Sequence, residues 1–304
     1  MRELGIERLD EIKQPSLVMV RLRCRRDQAD QLLRHRDVRT LDLPPRLGIS
    51  VELLKTDINQ FPSIAPPADN APAVAVLDSG LTRGHPLVAA AVGDAQGYLA
   101  PHHSADDETP WHGTFVGGLA LYGDIEARVR QGQFLPDLRL FSGKVFNDDG
   151  NDQIEFVEKA VEAAVRDLHD QYGCRVFNFS YGDLNKIYDG RHVRGFAYTL
   201  DRLTRELGVL FVVPTGNLHP SELPDNSQDV YPEYLFSESS RLLDPAPALN
   251  VLTVGGLATH EASRDAQRYP NSCEDHPLAR TGQPFPLTRC GPSINGAIKP
   301  DFVE

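Results

Sequence analysis

Apolar strand-like runs that alternate with amphipathic helical stretches predict an α/β domain with a mostly parallel sheet covered on both faces. Three observations carry this expectation. The runs at 73–80, 174–182 and 209–217 are short and nearly continuous in apolar residues, as strands buried on both faces are. The stretch at 154–173 places apolar residues at 154, 157, 161, 164, 165 and 168, which is helical spacing. The chain has 304 residues, enough to bury a large core without disulfides or a structural metal.

Taken in order, SLVMVRLRC (16–24) alternates from Val18 on and predicts a half-buried strand. RDQADQLLRHRD (26–37) predicts a helix and VRTLDLP (38–44) a second strand, a small β-α-β unit. Arg21, Arg23, Arg25 and Arg26 read as a solvated face rather than an anion site. Residues 61–72 hold four prolines and read as a linker. The expected organisation is therefore an accessory segment at 1–60, a linker at 61–72 and a main domain at 73–304. In the main domain AVAVLDSG (73–80) predicts a strand ending in a turn. HGTFVGGLALYG (112–123) predicts a buried helix and LRLFSGKVF (138–146) a strand. The helix at 154–173 has Gly173 as its C-terminal cap. A strand at 174–182, a helix at 195–208 and strands at 209–217 and 248–257 complete the pattern.

Composition excludes several classes. Apolar residues make up 40% and charged residues 24%, too apolar for a disordered chain. A net charge of −12 argues against nucleic acid or an anionic membrane as the main partner, and residues 1–70 are near neutral. No window approaches a membrane span. MRELGIERLDEIKQ lacks the apolar core of a secretory signal, so with Met1 as the natural start the expected compartment is the cytoplasm. Cys24, Cys174, Cys273 and Cys290 show no CxxC or zinc-finger spacing. A Cys273–Cys290 disulfide is open as an alternative to free loop thiols.

Ligands of open parallel sheets bind beyond the carboxyl ends of the strands. Asp78 follows AVAVL, Ser180 follows VFNF, Asn217 follows VLFVVPTG, and His112 opens the small-residue helix. An Asp–His pair is the supporting pair of nucleophilic acyl transfer, and a strand-end amide is a good oxyanion donor. Singly, Asp78 before Ser-Gly reads as a turn residue, His112 as an ordinary helix-start residue and Asn217 after Gly as a left-handed turn residue. Their order and flanks together point to chemistry.

Those flanks resemble the subtilisin-like serine peptidases. DSGLTRGHPLV (78–88) is similar to the family's aspartate motif, and HGTFVGG (112–118) to its histidine motif, with Phe115 where a second His is usual. FNFSYG (177–182) resembles the substrate-binding strand, VVPTGN (212–217) the oxyanion-hole segment, and TRCGPSINGAIKPD (288–301) the stretch shortly upstream of the serine. Asp, then His, then Ser is the subtilisin order, as general accounts of the triad give it. The resemblance covers about residues 73–304. It implies a subtilisin-like three-layer sandwich with a mostly parallel central sheet, preceded by a small α/β N-terminal segment similar to a propeptide.

By that resemblance Asp78 orients His112, His112 is general base and then general acid, and Asn217 donates to the oxyanion. Ser180, Tyr181 and Gly182 offer an extended edge to a peptide or protein substrate. Pro214, Thr215 and Gly216 form, with that edge, the pocket for the residue before the scissile bond (P1). Gly113, Gly117 and Gly118 permit close helix packing.

One departure stands out: no Gly-Thr-Ser occurs in the sequence. Ser79, Ser180 and Ser293 are poor substitutes by position. The expectation is a subtilase interrupted before its serine, inactive in this form, that either self-associates through the surface left open or is only marginally stable. The alternative is a catalytically dead peptide-binding or regulatory module on the same fold. A generic doubly wound hydrolase or nucleotide binder is weakest, since GxGxxG, P-loop and GxSxG motifs are lacking. No cofactor is expected. Structural calcium, common in the family, stays open as an alternative without a motif that indicates it: NDDGND (147–152) lacks the EF-hand ladder. His102, His103, Asp106, Asp107 and Glu108 read as a solvated polar loop, and Trp111 as a core residue.

Overall fold

The computed structural model describes residues 5–14, 17–38, 41, 63–99, 103–107, 112–147, 157–193, 195–259 and 278–304. The chain divides into two compact units, one carrying residues 1–48 and 262–276, the other 49–261 and 277–304.

In the first unit β1 (Glu7–Gln14) and β2 (Leu17–Arg23) form an antiparallel hairpin, followed by α1 (Arg26–Leu33). The expected strand at 16–24 and helix at 26–37 are present, the helix four residues shorter. β1 was not expected: its only apolar residues, Leu9 and Ile12, are three apart and break the alternation a strand should show. The strand expected at 38–44 lies almost wholly outside the described residues.

The second unit is built on β3 (Ala73–Asp78), β4 (Val92–Gly97), α2 (His112–Tyr122), α3 (Ile125–Gln131), β5 (Arg139–Lys144) and α4 (Val157–Tyr172). There follow β6 (Val176–Asn178), β7 (Asp183–Ile187), α5 (Phe196–Leu207), β8 (Leu210–Pro214), β9 (Leu243–Asp244), β10 (Leu252–Gly255) and β11 (Phe302–Val303). Seven strands make one sheet in the order β11-β10-β8-β6-β3-β5-β4, every neighbouring pair parallel. β7 and β9 form a small antiparallel ribbon.

The period-two alternation of β3 sorts the core into two layers. Ala75 and Leu77 face α4 and α5, packing with Val161, Val165, Leu168, Leu200 and Leu203. Val74 and Val76 face the other way, towards Val116, Leu121 and Tyr122 of α2 and Val129 of α3. The result is a three-layer α/β/α sandwich. Gly173 and Gly208 close α4 and α5 with positive φ, as their places in the sequence predict.

The strands end earlier than their apolar runs suggest. β3 stops at Asp78, β6 at Asn178 and β8 at Pro214, so residues 79–80, 179–182 and 215–217 have already left the sheet. β3 and β6 are adjacent, and chain order reverses between them, which is where a doubly wound sheet opens a crevice at its carboxyl edge.

Candidate active site

Asp78 is the last residue of β3. By alternation it shares the face of Val76, the side on which α2 packs. Its side chain is 0% exposed, and Oδ1 accepts from the Ser79 backbone N–H at 2.8 Å. His112 opens α2, with its Nδ1 2.7 Å from the same Oδ1. The imidazole remains 45% exposed, so a fully buried carboxylate holds a ring that solvent can reach. Asp78 Oδ2 has no hydrogen-bond partner among the described residues.

The first turn of α2 is fixed by contacts that local motifs do not reveal. Asp107 is buried, contrary to the expected solvated loop. Its Oδ2 accepts from the Thr114 backbone N–H at 2.7 Å and the Thr114 hydroxyl at 2.6 Å, and its Oδ1 from the Ser79 hydroxyl at 2.9 Å. The Gly113 backbone N–H donates to Ser79 Oγ at 3.1 Å. A Cβ on Gly113 would collide with the Gly80 carbonyl oxygen, so only glycine lets α2 sit this close to the Asp78 turn. Gly117 likewise packs on Leu140 and Leu81, whereas Gly118 faces open space and is not part of the close packing.

The second cluster lies beyond the carboxyl ends of β6, the strand next to β3, and of β8, the strand after it. Ser180 Oγ donates to Asn178 Oδ1 at 2.9 Å. The Tyr181 ring packs among Phe146, Phe179 and Phe196, and burial pushes its hydroxyl up to about 12. A Cβ on Gly182 would lie 3.6 Å from Gly216 Cα, so the two predicted substrate segments do come together. Pro214 ends β8, and its neighbour Thr215 donates its N–H to the Val254 carbonyl at 3.0 Å. Asn217 is exposed and bridges to Thr288.

Behind Asn217 lies a residue that sequence reading did not single out. Arg289 is 1% exposed in its side chain. Its Nε donates to the Asn217 carbonyl at 3.0 Å, and one terminal nitrogen donates to the Ser239 carbonyl at 2.7 Å. Glu222 faces the other terminal nitrogen at 3.3 Å. Burial lowers the guanidinium's pKa, and Glu222 opposes that shift. Lys299 and Asp301 pair at 2.7 Å, and Asp301 accepts the Thr253 N–H, so this Lys-Pro-Asp stretch clamps the chain beside β10.

The Ser79 hydroxyl is engaged with Asp107 and Gly113, that of Ser180 with Asn178, and that of Ser293 with the Pro247 carbonyl. Cys290 is a free thiol that donates to the Leu235 carbonyl at 2.8 Å, which argues against the Cys273–Cys290 pairing; Cys273 is outside the described residues. Trp111, His102, Glu108 and residues 148–152 also lie outside them. Among the described residues, no group of three His, Cys, Asp or Glu is placed to hold a metal ion. Nor is any helix there long and apolar enough to cross a membrane.

Residues 69–304 match the model of the subtilase family, peptidase S8. The chain belongs to the subtilase family. Residues 1–43 of this subtilase match a different model, the Y4kK central domain. The uncharacterized protein y4bN of Sinorhizobium fredii (strain NBRC 101917 / NGR234) is 39% identical over 143 residues, 46% of the subtilase chain and 33% of y4bN. The match thus spans about a third of that relative's length. Among solved structures, a mutant of the protease domain of PatA is 20% identical with a TM-score of 0.46, covering 74% of the chain and 64% of PatA's. The subtilisin-like protease Apa1 from Pseudoalteromonas sp. AS-11 is 18% identical with a TM-score of 0.42, covering 63% and 38%. The assignment rests on the family match, and the subtilase has the family's α/β fold.

Proposed function

We propose that this chain carries the acid–base half of a serine endopeptidase that hydrolyses peptide bonds through an Asp-His-Ser triad. The observation that carries the reading is the 2.7 Å contact between His112 Nδ1 and the fully buried Asp78. A carboxylate on Nδ1 leaves Nε2 as the base towards a nucleophile, and it stabilises the imidazolium formed when the proton is taken. His112 then returns the proton to the leaving amine, and water attacks the acyl-enzyme in the second half-reaction. Asn217 is the oxyanion donor, held from behind by Arg289. Removing such a donor costs about 2.7–4 kcal/mol in the measured subtilisin case. Ser180, Tyr181 and Gly182 pair with the substrate backbone, and Pro214, Thr215 and Gly216 face its P1 residue.

In this reading Ser79, Ser180 and Ser293 are not the nucleophile, and their hydroxyls bond Asp107, Asn178 and the Pro247 carbonyl. The 304 residues alone are therefore expected not to form an acyl-enzyme. The lack of a Gly-Thr-Ser in them favours a second reading, a peptide-binding or regulatory module without chemistry. The substrate in either reading is a peptide or protein, with neither nucleic acid nor membrane involved. Residues 1–60 act as a propeptide-like or accessory segment in the cytoplasm. A fluorophosphonate probe separates the two readings. Protein made from the entire reading frame should label, and the His112→Ala variant should not. Absence of label on the wild type, or label that survives His112→Ala, would overturn the peptidase reading.

A further inference from the structure

Lys144 ends β5 as the register partner of Asp78, so the two side chains leave neighbouring strands on the same face of the sheet. It is 5% exposed, and a buried ammonium is costly unless it is hydrogen-bonded. Its Nζ donates to the Asp106 carbonyl at 2.7 Å. Asp106 belongs to a stretch of backbone, 103–107, that is pressed onto the carboxyl edge of the sheet. A Cβ on Gly80, two residues past β3, would lie 2.7 Å from the carbonyl oxygens of both Ala105 and Asp106. A Cβ on Gly97, the last residue of β4, would collide with those of His103 and Ser104. The Leu81 backbone N–H donates to the Ala105 carbonyl at 3.0 Å. The stretch therefore rests on the ends of β3, β5 and β4, three adjacent strands, and Lys144 reaches it from the middle one. We propose that Lys144 is a positioning residue for the Asp78–His112 pair: its ammonium seats residues 103–107, and Asp107 passes that placement to α2.

The link runs through two limbs of one side chain. Asp107 follows the carbonyl that Lys144 holds, and its carboxylate bonds Ser79 on one side and Thr114 on the other. Ser79 adjoins Asp78, and Thr114 lies in the first turn of the helix that His112 opens. An apolar side chain of the same length fills the space of Lys144 but leaves the Asp106 carbonyl without its charge-assisted donor. The backbone then shifts to find another, and Asp107 moves with it. The two glycines allow the close approach, and the lysine fixes it.

The inference rests on the acid–base pair proposed above, and the test keeps the two apart. In the 304-residue chain, long-range proton–nitrogen correlations of the neutral ring read the fraction of His112 protonated on Nδ1, the nitrogen that faces Asp78. Lys144→Met should lower that fraction, and so should Asp107→Ala. Because Lys144 acts through Asp107, the double variant should match Asp107→Ala alone. Lys144→Arg, which keeps a charged donor but changes its reach, should give a smaller effect of the same sign, again absent beside Asp107→Ala. That arm stands even where Lys144→Met does not fold. In protein made from the entire reading frame, Lys144→Met should lower kcat about 10–100-fold and keep KM within about twofold. A Nδ1 fraction unmoved in the folded Lys144 variants, or effects that add to that of Asp107→Ala, overturns the inference. A wild type that hydrolyses no peptide while the His112 pattern holds overturns the peptidase reading alone. A wild-type His112 protonated on Nε2 instead overturns both.

Discussion

Both carboxylate oxygens of Asp107 are engaged, one with the first turn of α2 and one with Ser79, the residue after Asp78. Asp107 is thus a positioning residue: it ties the element that carries His112 to the turn that carries Asp78. Asp107→Ala removes the acceptor for a helix N-terminal N–H, a loss of about 1–2 kcal/mol in urea unfolding. It should also move the Nδ1–H proton resonance of His112, which a purely structural loss elsewhere in the chain would leave in place. Asp107→Asn, which keeps one acceptor, should show a smaller version of both effects. Asp78, His112 and Asn217 were legible in the sequence because each sits in a run of neighbours that constrains it locally. Asp107 and Arg289 were not, because their meaning lies in partners 28 and 72 residues away, Ser79 and Asn217.

Among the elements, the central strands and long helices follow from apolar runs and helical spacing, because burial on both sheet faces selects for them. The elements that sequence reading passed over are β1, β4, β7, β9, β11 and α3. VGDAQG in β4 is an edge strand with one partner, β5, and DLNKI in β7 is half polar, so neither shows a buried run. Seven-residue α3 is set by its caps, with Asp124 accepting from the Ala127 N–H at 2.9 Å and Gly132 in the left-handed region. Between α4 and α5 a four-membered ionic network joins Glu162 and Arg166 to Arg202 and Glu206. Arg202 foremost, with Arg166, holds the Glu162 carboxyl below its ordinary value. A carboxylate with a depressed folded pKa adds stability above its unfolded pKa and loses it as pH falls through the folded one. Because Glu162 is about one-third exposed, solvent screening limits this to a few tenths to ~1 kcal/mol. Urea unfolding should therefore show Glu162→Gln less stable than wild type at neutral pH. The two should converge well below the ordinary carboxylate range. A gap that is unchanged in acid would assign the effect to packing.

At the scale of the whole molecule, α2 combines His112 with an otherwise uncharged, mostly apolar sequence. It buries Val116, Leu121 and Tyr122 but leaves Phe115 63% exposed, with Leu119 one turn on also exposed. Ile298, Phe302 and Val303 add exposed apolar surface near β11. Exposed apolar groups on this scale favour association, so the 304-residue chain should self-associate in light scattering, and Phe115→Ser with Leu119→Ser should reduce it. A monodisperse wild-type monomer with a high Tm would contradict that expectation. The larger claim is that a buried carboxylate and a reachable imidazole form the working relay of a subtilase. It is tested most directly by kcat for peptide hydrolysis by Asp78→Asn, in protein made from the entire reading frame. Replacing the carboxylate by an amide keeps the shape of the site and removes the charge that orients and supports His112. With the relay in place, kcat should fall about 10⁴-fold with KM little changed. A variant within about tenfold of the wild-type kcat would contradict it.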